Sequence, residues 1–210
     1  MKKILLSLLL FVTIGAIAGE KKDDSKYLAG AVPEENGIIT FKKSFSVPGK
    51  TDAEVRRIMH NFVNQLVENS IPAPGNYARL MEENQDSLVA RVCEWLVFKK
   101  KPLVSDKTRF RFQVKINFKG NRVQISTSQL TYYYGENIET QEGGQLIKAE
   151  EWISDKEALN KSKTKLYPKS GKFRRKTVDR MEALFNAAMD AFEYPNGEVV
   201  QPTRKHIVED

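Results

Sequence analysis

From residue 109 to residue 119 the chain alternates without a break. Phe110, Phe112, Val114, Ile116 and Phe118 fall on one parity, and Arg109, Arg111, Gln113, Lys115 and Asn117 on the other. A period of two sends successive side chains to opposite faces of a strand, so this stretch needs a sheet with one face in a core and the other turned outward. Lys119-Gly120-Asn121-Arg122 reads as a hairpin turn, and Val123, Ile125 and Thr127 continue the apolar parity on the return strand. Leu130, Tyr132 and Tyr134 then take the other parity, which predicts a β-bulge between Thr127 and Leu130.

Further strands are expected upstream. Ile39, Phe41, Phe45 and Val47 share one parity that Lys43 interrupts, as on a strand near an edge. Tyr77–Met81 and Leu88–Phe98 flank the turn residues Asn84-Gln85-Asp86-Ser87, and Lys99-Lys100-Lys101-Pro102 ends the second of them. Three helices complete the reading. Thr51 and Glu54 form a capping box ahead of Val55, Ile58, Met59, Phe62, Val63, Leu66 and Val67, giving an amphipathic helix over 51–69 that Ile71-Pro72-Ala73-Pro74-Gly75 ends. Ser154 and Glu157 form a second box and predict a short helix near 154–161. Val178, Met181, Leu184, Phe185, Ala188, Met189 and Phe192 give a long helix over 172–193. The order is β-α-β-β-β-β-α. It predicts an α+β domain, one antiparallel sheet with two main amphipathic helices on one face and the other face open.

The ends read differently. Lys2 and Lys3 precede an apolar run from Ile4 to Ile14, and Ala16-Ile17-Ala18 follows as a small-x-small site. This is the layout of a signal peptide cleaved after Ala18. The run is too short for about 30 Å of hydrocarbon, and the one cysteine, Cys93, is not placed for a lipoprotein anchor. The expected destination is periplasmic or secreted, with no transmembrane segment after cleavage. The expected organisation is a leader at 1–18, a flexible lead-in at 19–37, the α+β domain at 38–134, a loop with a short helix at 135–171, the C-terminal helix at 172–193 and a loose tail at 194–210.

These residues resemble a family of exported bacterial proteins, domain of unknown function 4468, described as having a TATA-binding-protein-like (TBP-like) fold. The resemblance is carried by the strand Phe41–Val47, the turn Pro48-Gly49-Lys50, the capped helix from Thr51 and the hairpin ending in Leu130-Thr131-Tyr132-Tyr133-Tyr134. It covers roughly residues 40–134. It implies a fold and an exported destination, and no activity, because the namesake's nucleic-acid binding is not a property of the shape.

Composition narrows the chemistry. Two His and one Cys in 210 residues exclude a Cys-rich zinc site, an iron–sulfur cluster and a disulfide framework. Ser162-Lys163-Thr164-Lys165 matches the serine-x-x-lysine string of penicillin-recognising enzymes, without its companion motifs and in a lysine-rich stretch. His60 flanks the first helix and His206 lies in the tail, neither with a nucleophile recognisable beside it. No catalytic, cofactor or metal residue is assigned.

Two surfaces stand out instead. Nine cations and one acid, Asp179, fall within 161–180, and the helix start there is basic against its own dipole. Lys169, Lys172, Arg174, Arg175, Lys176 and Arg180 are therefore the candidate surface for an anionic partner, and an envelope component suits an exported chain better than nucleic acid. The strand 88–98 is apolar on both parities, which leaves Val89, Cys93, Trp95 and Val97 as an interaction patch on the open face. Segment 136–171, a second copy in a homodimer, or a ligand is expected to cover Trp95. Arg109, Arg111, Lys115, Gln124, Ser126 and Ser128 would decorate the same face. The function expected is an exported, non-catalytic binding module. The alternatives are an enzyme of undetected mechanism acting on envelope material and a structural component of a surface assembly.

Overall fold

The computed structural model describes residues 23–68, 76–101, 104–136 and 143–193. The leader, the turn at 71–75, Pro102 and the tail at 194–210 lie outside the described residues. Strands β1 (Glu34–Glu35) and β2 (Ile38–Ile39) form a small hairpin, followed by β3 (Phe41–Ser46) and helix α1 (Asp52–Glu68). Strands β4 (Tyr77–Glu83), β5 (Ser87–Lys101), β6 (Val104–Lys119), β7 (Arg122–Glu136) and β8 (Gly143–Lys148) come next, then α2 (Asp155–Ala158) and α3 (Pro168–Glu193). The main sheet runs β3-β7-β6-β5-β4, entirely antiparallel, with β8 beside the second half of β7.

Local chemistry explains the elements. The Thr51 amide donates to Glu54 Oε2 at 2.8 Å and the Glu54 amide to Thr51 Oγ1 at 3.3 Å, so the capping box starts α1 as its spacing requires. The Thr51 amide and hydroxyl, both donating to Glu54 Oε2, hold that carboxyl below its usual range. Ser154 caps α2 through the Glu157 amide. The expected bulge is present on β7: Arg111 and Gln113 of β6 face Thr131 and Ser128, and Gln129 takes a positive φ of 54°.

Both long helices press on one face. Leu88, Ala90, Val92, Phe110, Phe112 and Val114 from the sheet form one buried cluster with Val55, Met59 and Phe62 of α1 and Met181, Leu184 and Phe185 of α3. Phe110 stacks on Tyr132 at 5.3 Å, and Phe173 of α3 meets Tyr132 edge-on at 5.0 Å. The buried Tyr132 hydroxyl bonds Thr177 Oγ1 at 2.7 Å, and burial pushes its pKa upward.

Four expectations change. The flexible lead-in at 19–37 is ordered from Asp23 onward. Ser25–Tyr27 is a 3-10 turn, and Asn36-Gly37, both at positive φ, make the tight turn of the β1–β2 hairpin that buries Ile39. Strand β5 does not stop at Phe98: it continues past a bulge at Val97/Lys99, and Lys99 to Lys101 pair with the start of β6. Within 135–171, residues 143–148 are strand β8 and not loop. Helix α3 begins at Pro168, not at 172, because a proline fits the first helical position, where its missing N–H is no loss.

Candidate functional site

The basic window turns inward. Arg174 is fully buried and uses its whole guanidinium on the chain itself. Its Nε donates to Tyr27 O at 2.6 Å, Nη1 to Ile153 O at 2.6 Å, and Nη2 to Leu28 O at 2.7 Å and Asp155 Oδ1 at 2.6 Å. Arg175 grips Asp24 through two nitrogens, and Arg180 grips Glu94 in the same way. Lys172 donates to Asp106 Oδ2 at 2.6 Å and to the Tyr134 hydroxyl at 2.8 Å. Its ammonium also lies over the rings of Phe98, Tyr134 and Phe173. Burial works against that charge, but the hydrogen bonds outweigh it and hold Lys172 above its ordinary pKa.

The candidate anionic-partner surface therefore divides. Lys172, Arg174, Arg175 and Arg180 meet carboxylates of their own chain, while Lys169 and Lys176 stand exposed. The dipole argument also lapses, since α3 starts at Pro168 and residues 172–176 lie beyond its first turn.

The opposite face of the sheet has a different character. Val89 and Cys93 are buried, yet both fall outside the cluster under the helices. Residues paired across strands point to the same side, so the register defines what shares that face with them. One row runs Tyr77, Cys93, Arg111, Thr131, Lys148 across β4, β5, β6, β7 and β8. The next runs Trp95, Arg109, Tyr133, Leu146, and the next pairs Val97 with Lys107. Trp95 is half-buried beneath the Lys107 ammonium at 4.1 Å and the Arg109 guanidinium at 4.6 Å from its ring centre.

The residues of segment 136–171 expected to cover Trp95 divide. Leu146 shares its row on the open face, while Ile147, Ala149 and Ile153 join the core under the helices. Trp152 packs edge-on against Phe173 at 5.8 Å, also on that side. The long cationic side chains of β6 shield the indole.

Toward the hairpin end of the same face Lys115 pairs with Ser126 and Val89, and Gln124 with Asn117, as the alternation requires. On β4, β5 and β6 this face carries Arg79, Arg91, Lys107, Arg109, Arg111 and Lys115, with Glu82 its acid among the described residues. Arg79 faces Arg91 directly, and Lys119 faces Arg122. Like charges in such positions cost about 0.2–1 kcal/mol each.

The other nominated groups have local partners. His60 lies 3.4 Å from Glu83 through Nε2 and 3.0 Å from the Asn64 amide nitrogen through Nδ1, so both ring nitrogens are engaged. Ser162 sits in an exposed turn, 2.9 Å from the Thr164 hydroxyl and 2.9 Å from the Asn160 amide. His206 lies outside the described residues. Among the described residues no group of three or more His, Cys, Asp or Glu is placed to hold a metal ion, and no helix is long and apolar enough to cross a membrane.

Comparison with known proteins bears on the fold. A family model described as a domain of unknown function (DUF4468) with TBP-like fold matches residues 41–133. A DUF4468 family protein from Bacteroides ovatus is 33% identical with a TM-score of 0.72, over 82% of this chain and 96% of that one. A TBP-like protein from Parabacteroides distasonis shares the fold at a TM-score of 0.62 and 17% identity, over 78% of this chain and 97% of that one. No curated protein sequence matches.

Proposed function

Since the chain belongs to the DUF4468 family, a domain of unknown function with a TBP-like fold, we propose that it is an exported, non-catalytic binding module that binds through the helix-free face of its sheet. The observation that carries this reading is the contrast between the two faces. On the helix side Arg174, Arg175, Arg180 and Lys172 each meet a carboxylate at 2.5–2.6 Å. On the other side Arg79 stands opposite Arg91 and Lys119 opposite Arg122, with Glu82 the acid of β4, β5 and β6 on that face among the described residues. A fold that tolerates like-charge pairs on one face, while supplying acids to the other, keeps that face suited to an anion from outside. The patch Val89, Cys93, Trp95 and Val97 is the apolar floor of this surface. Export rests on Lys2, Lys3, the apolar run to Ile14 and Ala16-Ile17-Ala18, and predicts a chain that begins at Gly19.

The test is retention of residues 19–210 on immobilised heparin as a general polyanion. Arg79→Glu, Arg111→Glu and Lys115→Glu together, all at exposed positions, are expected to abolish retention at physiological salt. Lys169→Glu with Lys176→Glu is expected to change it little. The reverse ranking would return the binding surface to the basic window and overturn the reading.

A further inference from the structure

The cations are only half of what the register assembles on this face. Tyr77, Val97 and Leu146 are 42%, 39% and 58% exposed, three of the large hydrophobic side chains that the fold leaves in water. They fall in three successive rows of the face: Tyr77 with Arg111 and Lys148, Leu146 with Trp95, Arg109 and Tyr133, and Val97 with Lys107. They come from β4, β5 and β8, so only the assembled sheet brings them together.

We propose that this end of the face docks on an anionic lipid bilayer surface. The proposal rests on the binding-face reading above and names its partner. Lys107, Arg109 and Arg111 follow one another on β6 about 7 Å apart, within the ~8 Å screening length at physiological salt. Lys148 stands two strands, about 10 Å, from Arg111, so the β6 cations act on a charged surface as one field that Lys148 extends. Tyr and Trp are the side chains that settle at a headgroup boundary, where a ring can be apolar on one side and wet on the other. Val97 and Leu146 add apolar area that gains from contact with acyl chains and gains nothing from a hydrated polyanion. A nucleic acid or an acidic glycan would account for the arginines and leave Val97 and Leu146 without a role.

The experiment is co-sedimentation of residues 19–210 with vesicles of phosphatidylcholine alone or with about one-third phosphatidylglycerol, run beside heparin retention. Binding is expected to the anionic vesicles, to weaken with salt, and to be absent on the neutral ones. Arg111→Glu with Lys148→Glu, both exposed, is expected to weaken vesicle binding by at least about 30-fold, at about fivefold per lost cation. Leu146→Ser is expected to weaken it about 10-fold and to leave heparin retention unchanged. Equal loss on heparin and vesicles in that apolar variant would overturn the bilayer assignment, as would heparin retention without vesicle binding. In both cases the binding-face reading stands. Binding to neither overturns both. A salt-insensitive dimer that Leu146→Ser dissolves would make a second copy the occupant and overturn the bilayer proposal as well.

Discussion

Arg174 and Asp155 form a 2.6 Å ion pair in which the arginine is wholly buried and the carboxylate is partly exposed. The same Nη2 also donates to Leu28 O, and Nε and Nη1 end on the carbonyls of Tyr27 and Ile153, so one side chain ties the N-terminal segment and the α2 turn to α3. Arg174→Ala leaves three carbonyls and a carboxylate without their donor. Removing one partner of a buried, hydrogen-bonded charge pair costs about 3–5 kcal/mol. Urea unfolding should show a loss of that size, with Lys169→Ala, at an exposed position of the same helix, within about 0.5 kcal/mol of the parent.

Lys172 predicts an alkaline limb. Its folded pKa is raised above the ordinary lysine value, so the ammonium contributes fully below the unfolded pKa. That contribution is lost as pH rises through the folded value. Stability traced to this residue should therefore be flat from neutral pH to about 10 and fall only above it. Lys172→Met removes the limb while keeping the contact with Phe98, Tyr134 and Phe173. Unfolding curves of the parent and the variant, collected at steps of pH, should converge at the alkaline end. Convergence at acidic pH instead would contradict the assignment.

Gly171 sits one turn into α3, and a Cβ there would lie 2.9 Å from the Cβ of Leu166. Leu166 is fixed by its bridge to Leu159, so its Cβ has little room to yield. Alanine is the better helix former by about 1 kcal/mol, but overpacking a tight contact costs about 1–3 kcal/mol. The expected net effect of Gly171→Ala is a loss of up to about 2 kcal/mol in thermal or urea unfolding. A gain would show that the 159–166 loop shifts freely.

Much of this fold is legible locally. The strict alternation of 109–119, the box at Thr51/Glu54 and the parity change before Leu130 each depend on neighbours in sequence, and each forms where those residues put it. The order of 23–37 is not local, because Asp24 and Tyr27 find Arg175, Arg174 and Asp179 some 150 residues on. Asn36-Gly37 was the readable signal in that stretch, a tight hairpin turn inside a polar segment. Strand β8 is hard to read because Ile147 is its buried side chain. The candidate site divides the same way. Parity places Arg109 and Trp95 on one face of their strands, but only the strand order puts Leu146 and Lys148 in line with them.

Trp95 should behave as a surface-layer aromatic. Truncating a fully buried Phe or Trp costs about 3–5 kcal/mol, whereas Trp95 is half-buried and gains cation–π contacts of about 0.5–1 kcal/mol each from Lys107 and Arg109. Trp95→Ala is expected to cost about 1–2 kcal/mol in urea unfolding, with the fold retained by circular dichroism. A loss above about 3 kcal/mol would mean that another part of the chain covers the ring.

Cys93 reports on the same layer. Its side chain is 1% exposed, yet it lies outside the core cluster and is flanked in register by Tyr77 on β4 and Arg111 on β6. Long neighbours on the open face shield the thiol, and the helices do not. Its labelling by a thiol reagent should therefore respond to those neighbours more than to global stability. In the parent protein labelling should be slow. Tyr77→Ala removes an exposed side chain at a cost of about 1 kcal/mol or less, and labelling should accelerate at least about tenfold while the urea midpoint barely moves. If the accelerated rate instead tracked the unfolding equilibrium across variants, Cys93 would be reached only through global opening, and the side-chain cover drawn from the register would be wrong.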